Sequence, residues 1–353
     1  MSQDVFRLLQ QYLDRLSLGF PPTESGVEIE ILRKLFTERD AALFLALSPR
    51  LEIPADVATR LNRDTVETAE HLRDMASRGL LFTLRKGDVV KYGTIPFVHG
   101  LFEFHLNRLD REFSELLERY FHEAFNDAIT RGAAAFLRTV PVRESLDVSH
   151  HVAAYEDAVE ILRGQPRIVV AECICRKQQS LLGKGCGKPR EACFMFGSMG
   201  QYYLDHGLGR EVGLEEAVRL LKEAQDAGLV TQPATAQNPG GMCNCCGDCC
   251  SVLRALRLHS KPVEMVFSNH YAGVDPDACT GCGACLQRCQ MTAITMDEYE
   301  RARIDRDRCI GCGLCATACP VEALRLFPKE EQRVPPPGTM EQMLNMARLR
   351  GLA

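Results

Sequence analysis

The chain has 353 residues, a formal net charge of -5 and a pI of about 6.0, a length that admits two or three domains. Its hydrophobic share of 46% is that of an ordinary globular protein, and no run approaches the roughly 20 apolar residues of a membrane helix, which excludes a membrane span. Seventeen cysteines, all between Cys173 and Cys319, exclude a chain with merely scattered buried thiols and point to metal or redox chemistry.

The N-terminal stretch MSQDVFRLLQQYLDRLSLGF sets Asp4 and Asp14 among its apolar positions and has no basic segment leading into an apolar one. It lacks the layout of a secretory signal, so a cytoplasmic location is expected. Next, VEIEILRKLF and DAALFLAL have helical periodicity, and IPADVATRLN followed by RDTVETAEHLRDMASRG predicts two short helices joined by a turn. In the second, Val66, Ala69, Leu72 and Met75 recur at helical spacing and Gly79 stands where a C-terminal cap is expected. LLFTLRKGDVVKYGTI predicts a hairpin turning at Lys86, Gly87 and Asp88.

Helix, turn, helix and hairpin in that order resemble a winged helix over residues 1–100. Those residues hold 13 Lys or Arg against 14 Asp or Glu, and the would-be recognition helix carries Asp64, Glu67, Glu70 and Asp74. A DNA-reading surface needs a basic footprint, so no nucleic-acid partner is expected and the domain is read as protein-docking or structural. A helical connector follows over 101–165, with one helix expected from Leu101 to about Ala124 on a stripe of Phe102, Leu106, Leu109, Phe113, Leu116 and Tyr120. His150 and His151 lie in a polar stretch and are read as exposed rather than as ligands.

Residues 166–262 form a Cys-rich region. A helix, YEDAVEILRG, precedes an apolar strand, RIVVAE, that leads straight into Cys173. CICRKQQSLLGKGCGKPREAC supplies Cys173, Cys175, Cys186 and Cys193; CNCCGDCC supplies Cys243, Cys245, Cys246, Cys249 and Cys250. Between them GLEEAVRLLKEAQDAGLV predicts an amphipathic helix with Leu214, Ala217, Val218 and Leu221 on its stripe, so the two groups are expected to fold back on each other. Nine thiols make two four-Cys sites with one left over, or one site with further redox-active or structural thiols. A third cubane cluster drawing on both groups is the leading reading; structural zinc and exchangeable vicinal thiols are the others. Because Cys245 adjoins Cys246 and Cys249 adjoins Cys250, one member of each pair is expected to point away from a shared metal. Arg176, Lys177, Lys184, Lys188 and Arg190 crowd the first group, either as charge that offsets a cluster and raises its potential or as a solvated basic loop.

Residues 263–328 carry the most specific signal. CTGCGACLQRC gives Cys279, Cys282, Cys285 and Cys289, and thirty residues on CIGCGLCATACP gives Cys309, Cys312, Cys315 and Cys319. Each is C-x2-C-x2-C-x3-C, the iron-sulfur run of bacterial ferredoxins. The runs are also an internal repeat, nine of the 21 positions from 274 to 294 being identical to their counterparts. Glycines between the cysteines let the backbone approach a cluster and turn its N–H groups toward the sulfides. Zinc is disfavoured here, since it uses separated Cys pairs rather than a four-Cys run.

This segment resembles a two-cluster [4Fe-4S] ferredoxin domain. The resemblance implies that the fourth Cys of each run serves the other cluster: Cys279, Cys282, Cys285 and Cys319 for the first, Cys289, Cys309, Cys312 and Cys315 for the second. One departure is Gln290, where the usual Pro follows the fourth Cys; Pro320 keeps it in the second run. With C-x-C-R, a Gly-Lys loop and C-N-C-C-x-x-C-C ahead of the double repeat, the whole chain resembles a group of anaerobe-type iron-sulfur proteins with a winged helix, a Cys-rich middle and a ferredoxin domain, to which no settled reaction is attached. The tail, 329–353, is a Pro-rich linker and a short helix, TMEQMLNMARLRGL, expected to cover the core.

The expectation is an α+β iron-sulfur protein that carries single electrons between redox partner proteins, as a subunit of a larger oxidoreductase rather than a stand-alone enzyme. The alternatives are a redox-sensing winged-helix regulator and an oxidoreductase that reacts at the Cys-rich middle. No nucleotide fingerprint or Ser-His-acid set is present.

Overall fold

The structure is a computed structural model and describes residues 4–48, 50–146 and 153–352; His150 and His151 lie outside the described residues. Among the described residues no helix is long and apolar enough to cross a membrane.

Five helices open the chain: α1 (Val5–Asp14), α2 (Val27–Leu35), α3 (Glu38–Ala46), α4 (Pro54–Leu61) and α5 (Thr65–Ser77). Their starts follow from local chemistry. Asp4 accepts from the Phe6 N–H, Thr37 and Asp40 close a reciprocal capping box, Pro54 begins α4, and Asp64 accepts from the Glu67 N–H. The hairpin β1 (Phe82–Lys86) and β2 (Val89–Gly93) pairs Lys86 with Val89 around Gly87, whose φ is +60°. Leu9, Leu13, Val27, Leu32, Phe44, Leu72 and Met75 form the buried centre of this region.

The single helix expected from Leu101 to about Ala124 is interrupted. One turn, α6 (Phe102–Phe104), and a 3-10 turn at Leu106–Arg108 end at Leu109, and α7 (Arg111–Tyr120) starts afresh because Asp110 accepts from the Phe113 N–H at 2.7 Å. An N-cap aspartate at that point outcompetes continuation of the helix. A wider turn, Phe121–Phe125, then leads into α8 (Asn126–Phe136). On α7, Glu118 faces the Cys-rich region, accepting from Arg254 at 2.6 and 2.9 Å and from Gln179 at 2.8 Å. Burial opposes its charge, but those donors prevail and hold its carboxyl at about 2. Glu118→Ala leaves Arg254 largely buried without its partner. The expected cost is about 2 kcal/mol, below the ~3–5 kcal/mol of a fully enclosed pair because Arg254 keeps some water contact, and thermal melting would register it as a midpoint lower by a few degrees.

After α9 (Ala158–Arg163) the middle of the chain builds one antiparallel sheet from β3 (Ile168–Glu172), β4 (Glu191–Phe196), β5 (Gly209–Val212), β6 (Val230–Pro233) and β7 (Gly241–Cys245), in the order β5-β3-β4-β7-β6. Helices α11 (Gly197–Asp205) and α12 (Leu214–Asp226) pack on it, while α10 (Ile174–Leu181) lies against α7 and α13 (Ser251–Leu258) against α8. Alternation along the strands separates two faces. Ile168, Val170, Phe194, Phe196 and Met242 pack with Leu221 of α12, whereas Val169, Ala171, Cys193 and Cys245 join the larger core. Cys193 and Cys243 are paired across β4 and β7.

The C-terminal part is two-fold repetitive. β8 (His270–Val274) pairs with β11 (Leu324–Pro328), and β9 (Ile294–Met296) with β10 (Ala302–Ile304), with α14 (Ala284–Arg288) between. Residues 138–142 stitch this part to the sheet: the N–H groups of Arg138, Thr139, Val140 and Val142 donate to the carbonyls of Pro233, Phe267, Thr231 and Cys312. The tail helix α15 (Thr339–Leu349) returns to α8, where Gln342 donates to the Phe136 carbonyl at 2.7 Å and Met346 is buried.

Candidate metal centres

The two C-x2-C-x2-C-x3-C runs occupy equivalent loops. Asp275 N–H donates to the Ala323 carbonyl and Asp305 N–H to the Ala293 carbonyl, both at 2.8 Å, while the side chains of Asp275 and Asp305 accept from the N–H groups of Asp277 and Asp307. The residues that repeat in the sequence are therefore those that tie each loop to the other. Gly281, Gly283, Gly311 and Gly313 all have φ between +67° and +79°. Gly311 has a second constraint: a Cβ there would lie 2.2 Å from the His270 carbonyl oxygen. Gly311→Ala is expected to abolish the iron of the second loop, since both backbone strain and a backbone clash oppose it; iron analysis of the purified variant checks this.

A hollow is lined by Cys289, Cys309, Cys312 and Cys315, one cysteine of the first run with three of the second. Backbone N–H groups of Ala272, Ala293 and Ala302 point at the sulfurs of Cys309, Cys289 and Cys279 at 3.4, 3.2 and 3.5 Å. Burial pushes the thiols of Cys309, Cys312 and Cys315 up, that of Cys312 to about 12, with the neighbouring sulfurs adding to the effect. Such thiols release their protons only to a strong positive centre, and N–H donors to sulfur suit a thiolate-bound cluster, so the residues present fit an iron-sulfur group. Cys282 is exposed, Cys285 is buried beside Cys279 and Cys282, and Cys319 is half-buried on the second loop.

The nine upstream cysteines divide into six and three. Side-chain contacts run Cys173 to Cys175, Cys175 to Cys250, Cys250 to Cys245, Cys245 to Cys243, Cys243 to Cys193 and Cys193 back to Cys173, a closed ring. Cys173, Cys243 and Cys250 are held well below the usual thiol range because neighbouring S–H groups donate to them, and Cys175, Cys193 and Cys245 are pushed well above it by donating. Cys186, Cys246 and Cys249 form the other group. Each adjacent pair is thus split, Cys245 and Cys250 to the ring and Cys246 and Cys249 to the trio. Strand geometry accounts for part of this, because Cys243 and Cys245 sit two apart on β7 and share a face.

The basic crowd resolves unevenly. Lys177 and Arg190 pair with Glu172, Lys184 with Glu118 and Lys188 with Asp248. Arg176 alone is buried, 3% exposed, with Nη1 donating to the Asn244 carbonyl at 3.0 Å and Nε and Nη2 without a hydrogen-bond partner. Burial works against its charge, yet the sulfurs of Cys173, Cys193, Cys246 and Cys245 raise its pKa. Two orphaned guanidinium nitrogens among buried sulfurs fit an anionic metal-thiolate group.

Three features have little or no signature in the chain. His99, at φ +54° in an irregular link, contacts Cys243, whose negative charge raises the imidazole pKa against the effect of burial. Glu103 shares that pocket and is lifted by burial to about 7. They form one wall of a cavity of about 120 Å3 bounded by Phe136, Met195, Met199 and Met346 and reaching Cys243. The third is Gln290, whose Oε1 accepts from the Gly247 N–H at 2.8 Å. The residue that departs from the ferredoxin pattern thus joins the ferredoxin loop to the C-N-C-C-G-D-C-C loop. Its only signal in the sequence is that departure.

Residues 272–326 match the family model of a 4Fe-4S dicluster domain, about one sixth of the chain. The C-terminal part is accordingly a 4Fe-4S ferredoxin-like domain in a chain of mixed helix and sheet, which supports iron-sulfur cluster binding and an electron-transfer role. No curated protein and no solved structure matches the chain.

Proposed function

We propose that the protein carries single electrons between redox partner proteins through two adjacent [4Fe-4S] clusters and a third iron-sulfur site in its middle domain, as part of a larger oxidoreductase. Cys279, Cys282, Cys285 and Cys319 hold the first cluster, Cys289, Cys309, Cys312 and Cys315 the second, and the six-thiol ring the third. Bound clusters supply one-electron chemistry. The chain sets their separation, excludes water and supplies compensating charge.

The observation that carries this reading is the seat between the two Cys-rich parts. Gln290, next to Cys289, bonds Gly247, next to Cys246; Arg257 donates to the Gly247 carbonyl, and Arg308 to the carbonyls of Arg257 and His259. The second cluster's site and one in the middle domain would thus be fixed against each other by short hydrogen bonds between side chains and backbone. Domain limits follow: 1–100, a connector over 101–165, 166–262, 263–328 and a tail over 329–353. The test is a redox titration followed by electron paramagnetic resonance. Three distinguishable one-electron centres are expected, and Cys173→Ala should remove one of them; two centres in the wild type would end the three-site reading.

Residues 1–100 are read as a winged helix that docks protein in a cytoplasmic complex. In support, Asp64 caps α5, Glu67 pairs with Arg39 and Asp74 with Arg78, leaving the helix without the cationic surface that phosphates require. A gel shift at low salt is expected to show no retardation of DNA, and retardation there would favour the regulator instead. A second reading, an oxidoreductase reacting at the ring, is favoured by the cavity against Cys243. Its test is viologen-linked reductase activity in Met346→Trp, which fills the cavity; activity equal to wild type rules that reading out.

A further inference from the structure

The trio Cys186, Cys246 and Cys249 differs from the ring in size, and size separates one ion from a cluster. Its three sulfurs all lie within 4.8 Å of one another, and those of Cys186 and Cys246 are 3.7 Å apart. A tetrahedral ion bound at about 2.3 Å from each thiolate sets neighbouring sulfurs about 3.8 Å apart. No other trio of Cys, His, Asp or Glu among the described residues is as compact. No three of the ring's sulfurs form so compact a group, so the ring offers no comparable seat for one ion.

We propose that Cys186, Cys246 and Cys249 form a separate site for a single divalent, thiolate-preferring metal ion, zinc being the ion of choice, with one coordination position left to a water or an exogenous ligand. Two features favour metal over free thiols. The site draws on two loops about sixty residues apart in the chain, one of them glycine-punctuated with Gly183 and Gly187 at positive φ. The Arg176 guanidinium, with two nitrogens unpartnered, lies close enough to the Cys246 sulfur to be affected by its charge, and three thiolates on a divalent ion leave one net negative charge for it to meet.

The ion would have a definite job. Gly247, between two of its ligands, is the residue that receives Gln290, and a Cβ there would lie 2.5 Å from the Gln290 carbonyl oxygen. A metal that pins Cys246 and Cys249 to Cys186 fixes the surface on which the end of the first ferredoxin run, with Cys289 and Gln290, sits.

The test is elemental analysis of the full-length, anaerobically purified protein beside Cys186→Ser and Cys249→Ser. About one zinc per chain is expected in the wild type and close to none in either variant, with iron and sulfide unchanged. Cys186 lies on a half-exposed loop, so its variant keeps the test valid if Cys249→Ser fails to fold. Cobalt(II) added to zinc-stripped wild type should give thiolate charge-transfer and tetrahedral visible bands that Cys186→Ser lacks. Wild type that holds neither zinc nor cobalt overturns the proposal, as does loss of about four irons in Cys186→Ser, which would make the trio part of a cluster. The outcome is separable from that for the ring: eight irons with one zinc would remove the third cluster and leave this site standing.

Discussion

Cys289→Ala is expected to remove about four irons and four sulfides per chain, and to remove them from the second loop although Cys289 belongs to the first run. The reason is geometric: Cys289 shares its hollow with Cys309, Cys312 and Cys315. Double variants make the assignment decisive. Cys289→Ala with Cys312→Ala should lose no more iron than either alone, because both strip one cluster, while Cys289→Ala with Cys282→Ala should lose about eight irons. The reverse pattern would mean that each run holds its own cluster. The Ala272 N–H keeps the Cys309 sulfur as its acceptor in every variant, whereas Cys289→Ala also frees the Ala293 N–H that met the deleted sulfur.

Arg176→Met is expected to have the next largest effect. It keeps much of the side chain's volume and deletes a positive charge buried among the sulfurs of the ring and the trio. A buried anionic group left uncompensated costs several kcal/mol, so the middle-domain cluster should be lost, iron falling from about twelve to about eight per chain while the ferredoxin clusters stay. Arg176→Lys, which keeps the charge without the fork, should retain iron with a shifted potential. Full iron and an unchanged potential in Arg176→Met would show that the guanidinium serves only to hold the Asn244 carbonyl.

Much of the ferredoxin part was legible in advance because its sequence signal is local. Three cysteines in seven residues and the glycines between them define a loop before any fold is known, and the Asp275/Asp305 and Ala293/Ala323 identities mark the bonds that join the repeats. The amphipathic helix at Leu214–Asp226 and the apolar strand entering Cys173 were legible from periodicity. The division of the upstream cysteines was not. It depends on β4 lying between β3 and β7, which brings Cys173, Cys193 and Cys243 together from positions up to seventy residues apart. His99 and Glu103 were missed for the same reason, since they arrive from another region of the chain. The helix broken at Asp110 was misread in a recoverable way: an apolar stripe continues across the break, but an Asp three residues before Phe113 is a capping signal that periodicity alone ignores.

The most direct test of the account is iron and acid-labile sulfide per chain in anaerobically purified protein. About twelve of each is the predicted result, two cubanes on the ferredoxin loops and one on the ring. About eight of each would contradict it, and would leave the ring of Cys173, Cys175, Cys193, Cys243, Cys245 and Cys250 without the cluster assigned to it.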